Sequence, residues 1–152
     1  MIELFLTTEY KQRITLLCVR LEKEGMLLQD TVMYETENSS WEDTSLIGKI
    51  IVRALEREIH VVIELIADIG NALIDALIMR DPGGYRDIVM ILLDEKVITS
   101  EIANSLLDVV SLRPLLIQQY GDEGRDQILK AASCWPTVLQ FVQAIKEYVA
   151  VT

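Results

Sequence analysis

Apolar side chains recur at helical spacing along most of the chain. Within residues 8–33, one set is spaced by three, four and seven positions: Ile14, Leu17, Leu21, Leu28 and Val32. Such spacing places the side chains in one stripe along an α-helix. Gly25 is expected to weaken the middle of this helix. The polar stretch that follows, residues 34–45, has no periodicity and is predicted to be a loop.

The same periodicity predicts four further helical regions. Pro82 and the pair Gly83–Gly84 end the longest of them, because proline and paired glycines favour a turn. Thr99 or Ser100 is predicted to cap a later helix. The predicted helices span residues 45–80, 85–95, 100–120 and 123–149, the last interrupted at Trp135–Pro136.

No stretch alternates apolar and polar residues as a half-buried β-strand does. The predicted fold class is therefore all-α, a helical bundle of four to five main helices. The chain has 152 residues and no linker beyond residues 34–45, which predicts a single domain over residues 1–152.

A polar stripe runs along the otherwise apolar longest helix. Its members are three or four positions apart: Arg57, His60, Glu64, Asp68, Asn71 and Asp75. One interpretation is a solvated face. In another, part of the stripe faces a cleft where Asp68 orients Arg113, with Asn71 and His60 in support. A metal site is the least favoured interpretation, because carboxylates at this spacing extend along the axis and do not converge. No metal or cofactor is predicted.

The charge balance limits the range of partners. The chain carries 24 acidic and 14 basic residues, for a net charge of -10, which opposes non-specific binding to RNA or anionic lipid. The mean hydropathy of +0.28 indicates apolar surface covered by a partner. Cys18 and Cys134 are predicted to be thiols of a cytoplasmic protein. Residues 59–79 are long enough to span a bilayer, but their carboxylates favour a bundle helix instead.

The single histidine restricts the catalytic classes. A Ser–His–Asp or Cys–His arrangement would have to use His60, and no G-x-S-x-G turn accompanies it. Phosphate-binding glycine loops are also absent from the sequence. A lone histidine on such a stripe is more often a surface residue than a catalyst.

The stretch "LRPLLIQQY", residues 112–120, places three polar residues in the order Arg–x4–Gln–x–Tyr, at Arg113, Gln118 and Tyr120. Together with the segment from "RALEREIHVVIELIADIG" through "DPGGYRDIVMILLDEKVI", it resembles the HepT-like family of the HEPN superfamily. The resemblance is clearest over residues 45–125 and is nearest to a branch found in Bacillus-type bacteria.

The resemblance implies a homodimeric helical bundle and the toxin half of a toxin–antitoxin pair. Active members of the family are metal-independent endoribonucleases, and their partner is a nucleotidyltransferase antitoxin that transfers AMP to the motif tyrosine. By this resemblance Arg113 is the motif arginine, and Tyr120 is the motif tyrosine and AMP acceptor. Gln118 stands where the family has histidine, and Pro114 where it usually has asparagine.

The substitution at Gln118 matters because cleavage by the ribose 2′-hydroxyl needs a group that exchanges protons near neutral pH. Glutamine only donates and accepts hydrogen bonds, so weakened or lost ribonuclease activity is predicted. Pro114 is expected to bend the helix near Arg113. Two alternatives stay open: a non-catalytic dimeric interaction module, and a helical dimer with an unrelated task. The prediction of lost cleavage fails if His60 lies beside Arg113 and Tyr120 in one groove.

Overall fold

The structure, a computed structural model, describes residues 5–38, 46–118 and 124–152. The described residues are largely helical and contain no β-strand, which confirms the predicted all-α class. They form seven helices: α1 (Thr8–Asn38), α2 (Leu46–Ala76), α3 (Tyr85–Asp94), α4 (Ser100–Val110), α5 (Arg113–Gln118), α6 (Arg125–Ala132) and α7 (Trp135–Val151).

The predicted count of four to five helices is too low for the described residues, because two predicted helices are each split. The region predicted as 100–120 separates into α4 and α5. The region predicted as 123–149 separates into α6 and α7 next to the predicted interruption at Trp135–Pro136. In both cases the first helix ends four residues before a proline: Val110 precedes Pro114, and Ala132 precedes Pro136. Proline has no N–H for the carbonyl four residues earlier, and its ring clashes with that carbonyl.

Two long helices form the frame of the bundle. α1 and α2 each have 31 residues, or a length of about 46 Å. α1 continues to Asn38, beyond the predicted end at residue 33, and the rest of the predicted loop, 39–45, lies outside the described residues. The Thr31 hydroxyl on α1 donates to Glu58 Oε1 on α2 at 2.8 Å, so a polar contact joins the two helices within a largely apolar interface.

The hydrophobic core surrounds α2. Its fully buried members come from several helices and include Leu21, Leu55, Ile63, Leu106 and Phe141. Gly25 was expected to weaken α1, yet it lies where α7 packs: an added Cβ would meet Val138 and Leu139 at 3.1 Å. The missing side chain therefore lets the two helices approach closely.

Three smaller predictions can be compared with the fold: the cap of α4, the state of the two cysteines and the character of α2. Thr99 is the N-cap of α4, and its side chain accepts a hydrogen bond from the Ile102 N–H at 3.3 Å, as predicted. Cys18 and Cys134 are free thiols, and burial raises their pKa to about 11 and about 12. Among the described helices, α2 included, none has the length and apolar character needed to cross a membrane.

Candidate functional site

The first residue of α5 is bonded to the middle of α2. Arg113 Nε donates a hydrogen bond to Glu64 Oε1 at 2.7 Å. The break after α4 makes this possible, because it starts a new helix at Arg113 instead of continuing the old one. Both side chains are partly exposed, at 34% for Arg113 and 38% for Glu64. The pair is thus open to a ligand while it ties α5 to α2.

Tyr85, the first residue of α3, completes this ion pair. Its hydroxyl donates to Glu64 Oε2 at 2.8 Å, so both oxygens of the carboxylate are occupied. The Arg113 guanidinium carbon lies 4.2 Å from the centre of the Tyr85 ring, a distance typical of a cation–π contact. Arg113 is therefore held on two sides, by the carboxylate and by the aromatic ring.

His60 lies close to the Glu64 carboxylate. Its Nε2 atom is 3.4 Å from Glu64 Oε1, the oxygen that also accepts from Arg113. Histidine and glutamate are four positions apart on α2 and so face the same way. Asp68 and Asn71, one and two turns further along, are exposed. The carboxylate that orients Arg113 is therefore Glu64, one turn before the predicted Asp68.

These contacts shift the pKa of each partner. Burial alone would raise the pKa of Glu64, but the hydrogen bonds from Arg113 and Tyr85 and the charges of Arg113 and His60 lower it overall. Burial and the hydrogen bond to Glu64 raise the pKa of the Tyr85 hydroxyl. The hydrogen bond to Glu64 raises the pKa of Arg113. At neutral pH the site therefore contains a carboxylate, a guanidinium and a protonated phenol.

The turn before α3 is held in place by its own bonds. Arg80 donates to both oxygens of Asp87 at 2.7 and 2.8 Å, and the Gly83 N–H donates to Asp87 Oδ2 at 2.8 Å. Arg86 donates to the Leu107 carbonyl at 3.2 Å and to the Ser111 hydroxyl. α3 is thereby fixed to the end of α4, which positions Tyr85 beside Arg113.

The other predicted motif residues are less central. Gln118 is the last residue of α5 and is exposed. Pro114 is the second residue of α5, where its missing N–H breaks no helical bond. Tyr120 lies outside the described residues. Glu64 Oε1, which accepts from Arg113, also lies 3.4 Å from His60 Nε2. Because Tyr120 is outside the described residues, the prediction of lost cleavage stays a prediction.

Sequence reasoning missed two members of this site. Glu64 belongs to the predicted polar stripe, but its spacing is equivalent to that of Asp68 and does not identify which carboxylate meets Arg113. Tyr85 follows the predicted Pro–Gly–Gly turn, and an aromatic residue at the first position of a helix was the available signal. Within the described ranges, His, Cys, Asp and Glu side chains form no group of three or more that could hold a metal ion.

The family assignment comes from comparison with known sequences. The model of the family described as "Ribonuclease HepT-like" matches residues 27–145. The chain belongs to this HepT-like family of the HEPN superfamily. It is 36% identical over 131 residues to YutE of Bacillus subtilis (strain 168), a protein named as a candidate RNase. That match covers 85% of this chain and 87% of YutE.

Solved structures share the fold. A structure of YutE from Bacillus subtilis, described as a cytosolic protein of unknown function, is 32% identical, with a TM-score of 0.64 over 88% of this chain and 90% of that one. A crystal structure of a toxin–antitoxin with AMP-PNP has a TM-score of 0.68 over 86% of this chain and 96% of that one, at 16% identity. At this identity the second match shows the fold alone.

Proposed function

We propose that this chain is a toxin-type HepT-like protein that binds RNA through Arg113 and cleaves it weakly or not at all. The observation that carries the proposal is Gln118, exposed at the end of α5, at the position of the family histidine. Arg113 supplies a positive charge that is partly exposed, at 34%, and held in a fixed direction by Glu64 and Tyr85. A guanidinium positioned in this way is suited to binding phosphate.

The chemistry of cleavage explains why activity is expected to be weak. Attack by a ribose 2′-hydroxyl requires a base to accept its proton, and general acid–base catalysis typically contributes about 10²–10⁴-fold in rate. The Gln118 amide cannot accept this proton. The Glu64 carboxylate is bonded to Arg113 and Tyr85, and its lowered pKa makes it a weaker base than an ordinary glutamate.

The substitution Gln118→His tests this proposal. Because Gln118 is exposed, the change leaves the packing of the bundle intact. We expect the wild type to bind an oligoribonucleotide and to cleave it slowly, and the variant to cleave it at least about tenfold faster. Binding should fall in Arg113→Ala. The proposal fails if wild type and Arg113→Ala bind RNA equally, or if Gln118→His cleaves no faster than the wild type.

The position of His60 favours a second candidate function, a working ribonuclease. Its imidazole lies 3.4 Å from the carboxylate that holds Arg113, and a carboxylate that orients a histidine is a common device in proton transfer. In this candidate, His60 accepts the 2′-hydroxyl proton in place of the motif histidine. Cleavage by the wild type that is lost in both His60→Ala and His60→Gln would select this candidate over the first, because a glutamine amide cannot accept the proton.

A third candidate is a dimeric interaction module that binds a nucleotidyltransferase or another protein. It is favoured by three exposed apolar side chains at the start of α2: Leu46, Ile47 and Ile50, which are 74%, 60% and 56% exposed. Surfaces of this kind are commonly covered by a partner. We propose a homodimer of one-domain chains, formed through α2 and the Arg113–Tyr120 region. We also propose Tyr120 as the AMP acceptor.

Two measurements test the interaction candidate. Light scattering on the purified chain should give twice the mass of one chain. After co-expression with a nucleotidyltransferase, intact-mass spectrometry should show the mass of one AMP added, and the addition should disappear in Tyr120→Phe. A monomeric chain, or an added mass that persists in Tyr120→Phe, would remove the corresponding part of the proposal.

A further inference from the structure

A cavity of about 390 Å³ adjoins the Arg113–Tyr85 pair. One wall is the turn before α3 and the start of that helix, Gly83–Asp87, and the other is formed by Val110, Arg113 and Pro114. Its volume falls in the range of small-molecule sites. Because Arg113 and Tyr85 line it, the cavity is continuous with the candidate site, and we refer to it as the α3–α5 slot.

The walls of the α3–α5 slot favour an apolar group. Gly83 and Gly84 have no side chains, and Val110 and Pro114 are apolar. Two of the charged lining residues have their bonds elsewhere: Arg86 with the end of α4, and Asp87 with Arg80 and the Gly83 N–H. The slot is therefore mostly apolar, with a guanidinium among its lining groups.

The charge beside the slot indicates what the apolar group carries. Glu64 accepts from one N–H of Arg113, and a guanidinium has five N–H donors in a planar fork that matches phosphate. A ligand that fits both parts has an apolar group attached to a phosphate. A nucleotide unit has this composition, and single-stranded RNA presents unstacked bases to protein surfaces in this way.

We propose that the α3–α5 slot binds one nucleobase of an RNA strand whose phosphate is bound by Arg113. This inference rests on the proposed RNA-binding function and adds a base contact to it. Tyr85 and Arg113, which contact each other and line the slot, offer an aromatic ring and a guanidinium for contact with a base, and such contacts tolerate any base. The slot thus contributes affinity for single-stranded RNA without strong sequence preference.

Gly84 lines the slot and accepts a side chain without disturbing the fold. An added Cβ at Gly84 meets no atom within 4 Å, and its φ of 166° is extended backbone that any residue adopts. Gly84→Leu therefore places a bulky side chain at one lining position, and Pro114→Phe places one at a second lining position, which is exposed. Gly84→Ala adds a single methyl group and controls for the effect of an added Cβ on folding. Thermal unfolding of each variant establishes that it is folded.

The test compares two ligands of equal charge: an oligoribonucleotide and a ribose–phosphate oligomer of the same length that lacks bases. We expect the wild type to bind the natural oligomer about tenfold more tightly than the base-free one. Gly84→Leu and Pro114→Phe should bind both oligomers with the weaker affinity.

Each other outcome has a defined meaning. If the wild type binds both oligomers equally and Arg113→Ala binds neither, the proposed base contact in the slot is wrong and the proposed phosphate contact of Arg113 remains. Binding of neither oligomer by the wild type overturns both. Retained discrimination in both folded filling variants also overturns the slot. The slot is also overturned if the filling variants bind RNA as the wild type does but no longer bind a co-expressed nucleotidyltransferase. The slot would then belong to a protein interface.

Discussion

Glu64 and Arg113 are 49 positions apart in sequence and are joined by a 2.7 Å hydrogen bond. The same carboxylate accepts from Tyr85 at 2.8 Å and lies 3.4 Å from His60. One side chain of α2 therefore fixes the starts of both α3 and α5. The direction of the Arg113 guanidinium, and with it the proposed phosphate contact, depends on this single carboxylate.

The first prediction concerns this carboxylate. Glu64→Gln removes the charge partner of Arg113 and weakens the tie between α5 and α2, so the midpoint of thermal unfolding at pH 7 should fall by a few degrees. The effect is modest because partly exposed ion pairs contribute little. Asp68→Asn, at an exposed site one turn further on, is the matched control and should change the midpoint much less. Equal effects of the two substitutions would contradict the assigned role of Glu64.

The same variant has a defined pH dependence. The pKa of Glu64 lies below its ordinary value of 4.5 in the folded protein, so its contribution to stability is present above that value and is lost as the pH falls through the folded value. Urea unfolding measured from pH 7 down to about pH 3 should show the wild type losing its advantage over Glu64→Gln at the acid end. A difference that is independent of pH would contradict the lowered pKa.

The second prediction separates the two contacts of Tyr85. Tyr85→Phe removes the hydrogen bond to Glu64 but keeps the ring beneath Arg113, and should lower the free energy of unfolding by about 1 kcal/mol. Tyr85→Leu removes both contacts and should cost more. Chemical denaturation of both variants measures the difference. If the two substitutions cost the same, the contact between ring and guanidinium contributes nothing to stability.

The third prediction concerns a buried carboxyl group outside the site. Glu58 is 8% exposed, and burial raises its pKa above the ordinary value, although the hydrogen bond from Thr31 opposes the shift. A raised carboxyl pKa favours folding below the unfolded value and loses that contribution as the pH rises through the folded value. Glu58→Gln should therefore raise the unfolding midpoint at pH 7, and the gain should shrink towards pH 4. A midpoint that falls at pH 7 would contradict this assignment.

The fourth prediction tests the contact between α2 and α3. A Cβ added at Gly70 would overlap the Cγ2 atom of Ile88, which is buried at 4% exposure. Gly70→Ala should lower the free energy of unfolding by about 1–3 kcal/mol, the usual cost of overpacking a core. Gly84→Ala meets no atom within 4 Å and is the control. A Gly70→Ala protein as stable as its control would show that α3 packs differently on α2.

Hydrophobic periodicity predicted much of the fold, because a helix with one buried stripe has apolar residues at regular three- and four-residue spacing in its sequence. The break between α6 and α7 was predicted at Trp135–Pro136. The end of α4 could have been predicted in the same way, since it precedes Pro114 by four residues. The longer extent of α1 could not have been predicted in this way, because residues 34–38 are polar and lack apolar periodicity. Their helical conformation continues that of the preceding turns. The role of Gly25 depends on where α7 packs, which is a tertiary relationship.

The candidate site was only partly predictable. Arg113 was identified through its family motif, and the polar stripe of α2 contained both His60 and Glu64. The stripe contains several equivalent carboxylates. Which of Glu64 and Asp68 contacts Arg113 depends on the position along α2, or height, at which α5 packs. That height is fixed by the packing of whole helices and by the turn before Tyr85, neither of which a linear spacing encodes.

The central claim, that the Arg113 site holds RNA without cleaving it efficiently, is tested most directly by one assay. A labelled oligoribonucleotide is incubated with the purified wild type and with Arg113→Ala in the presence of EDTA, and the bound fraction and the cleavage rate constant of each are measured. We predict a wild-type rate close to that of Arg113→Ala, with RNA binding detectable only for the wild type. Rapid cleavage by the wild type that Arg113→Ala abolishes would contradict the account.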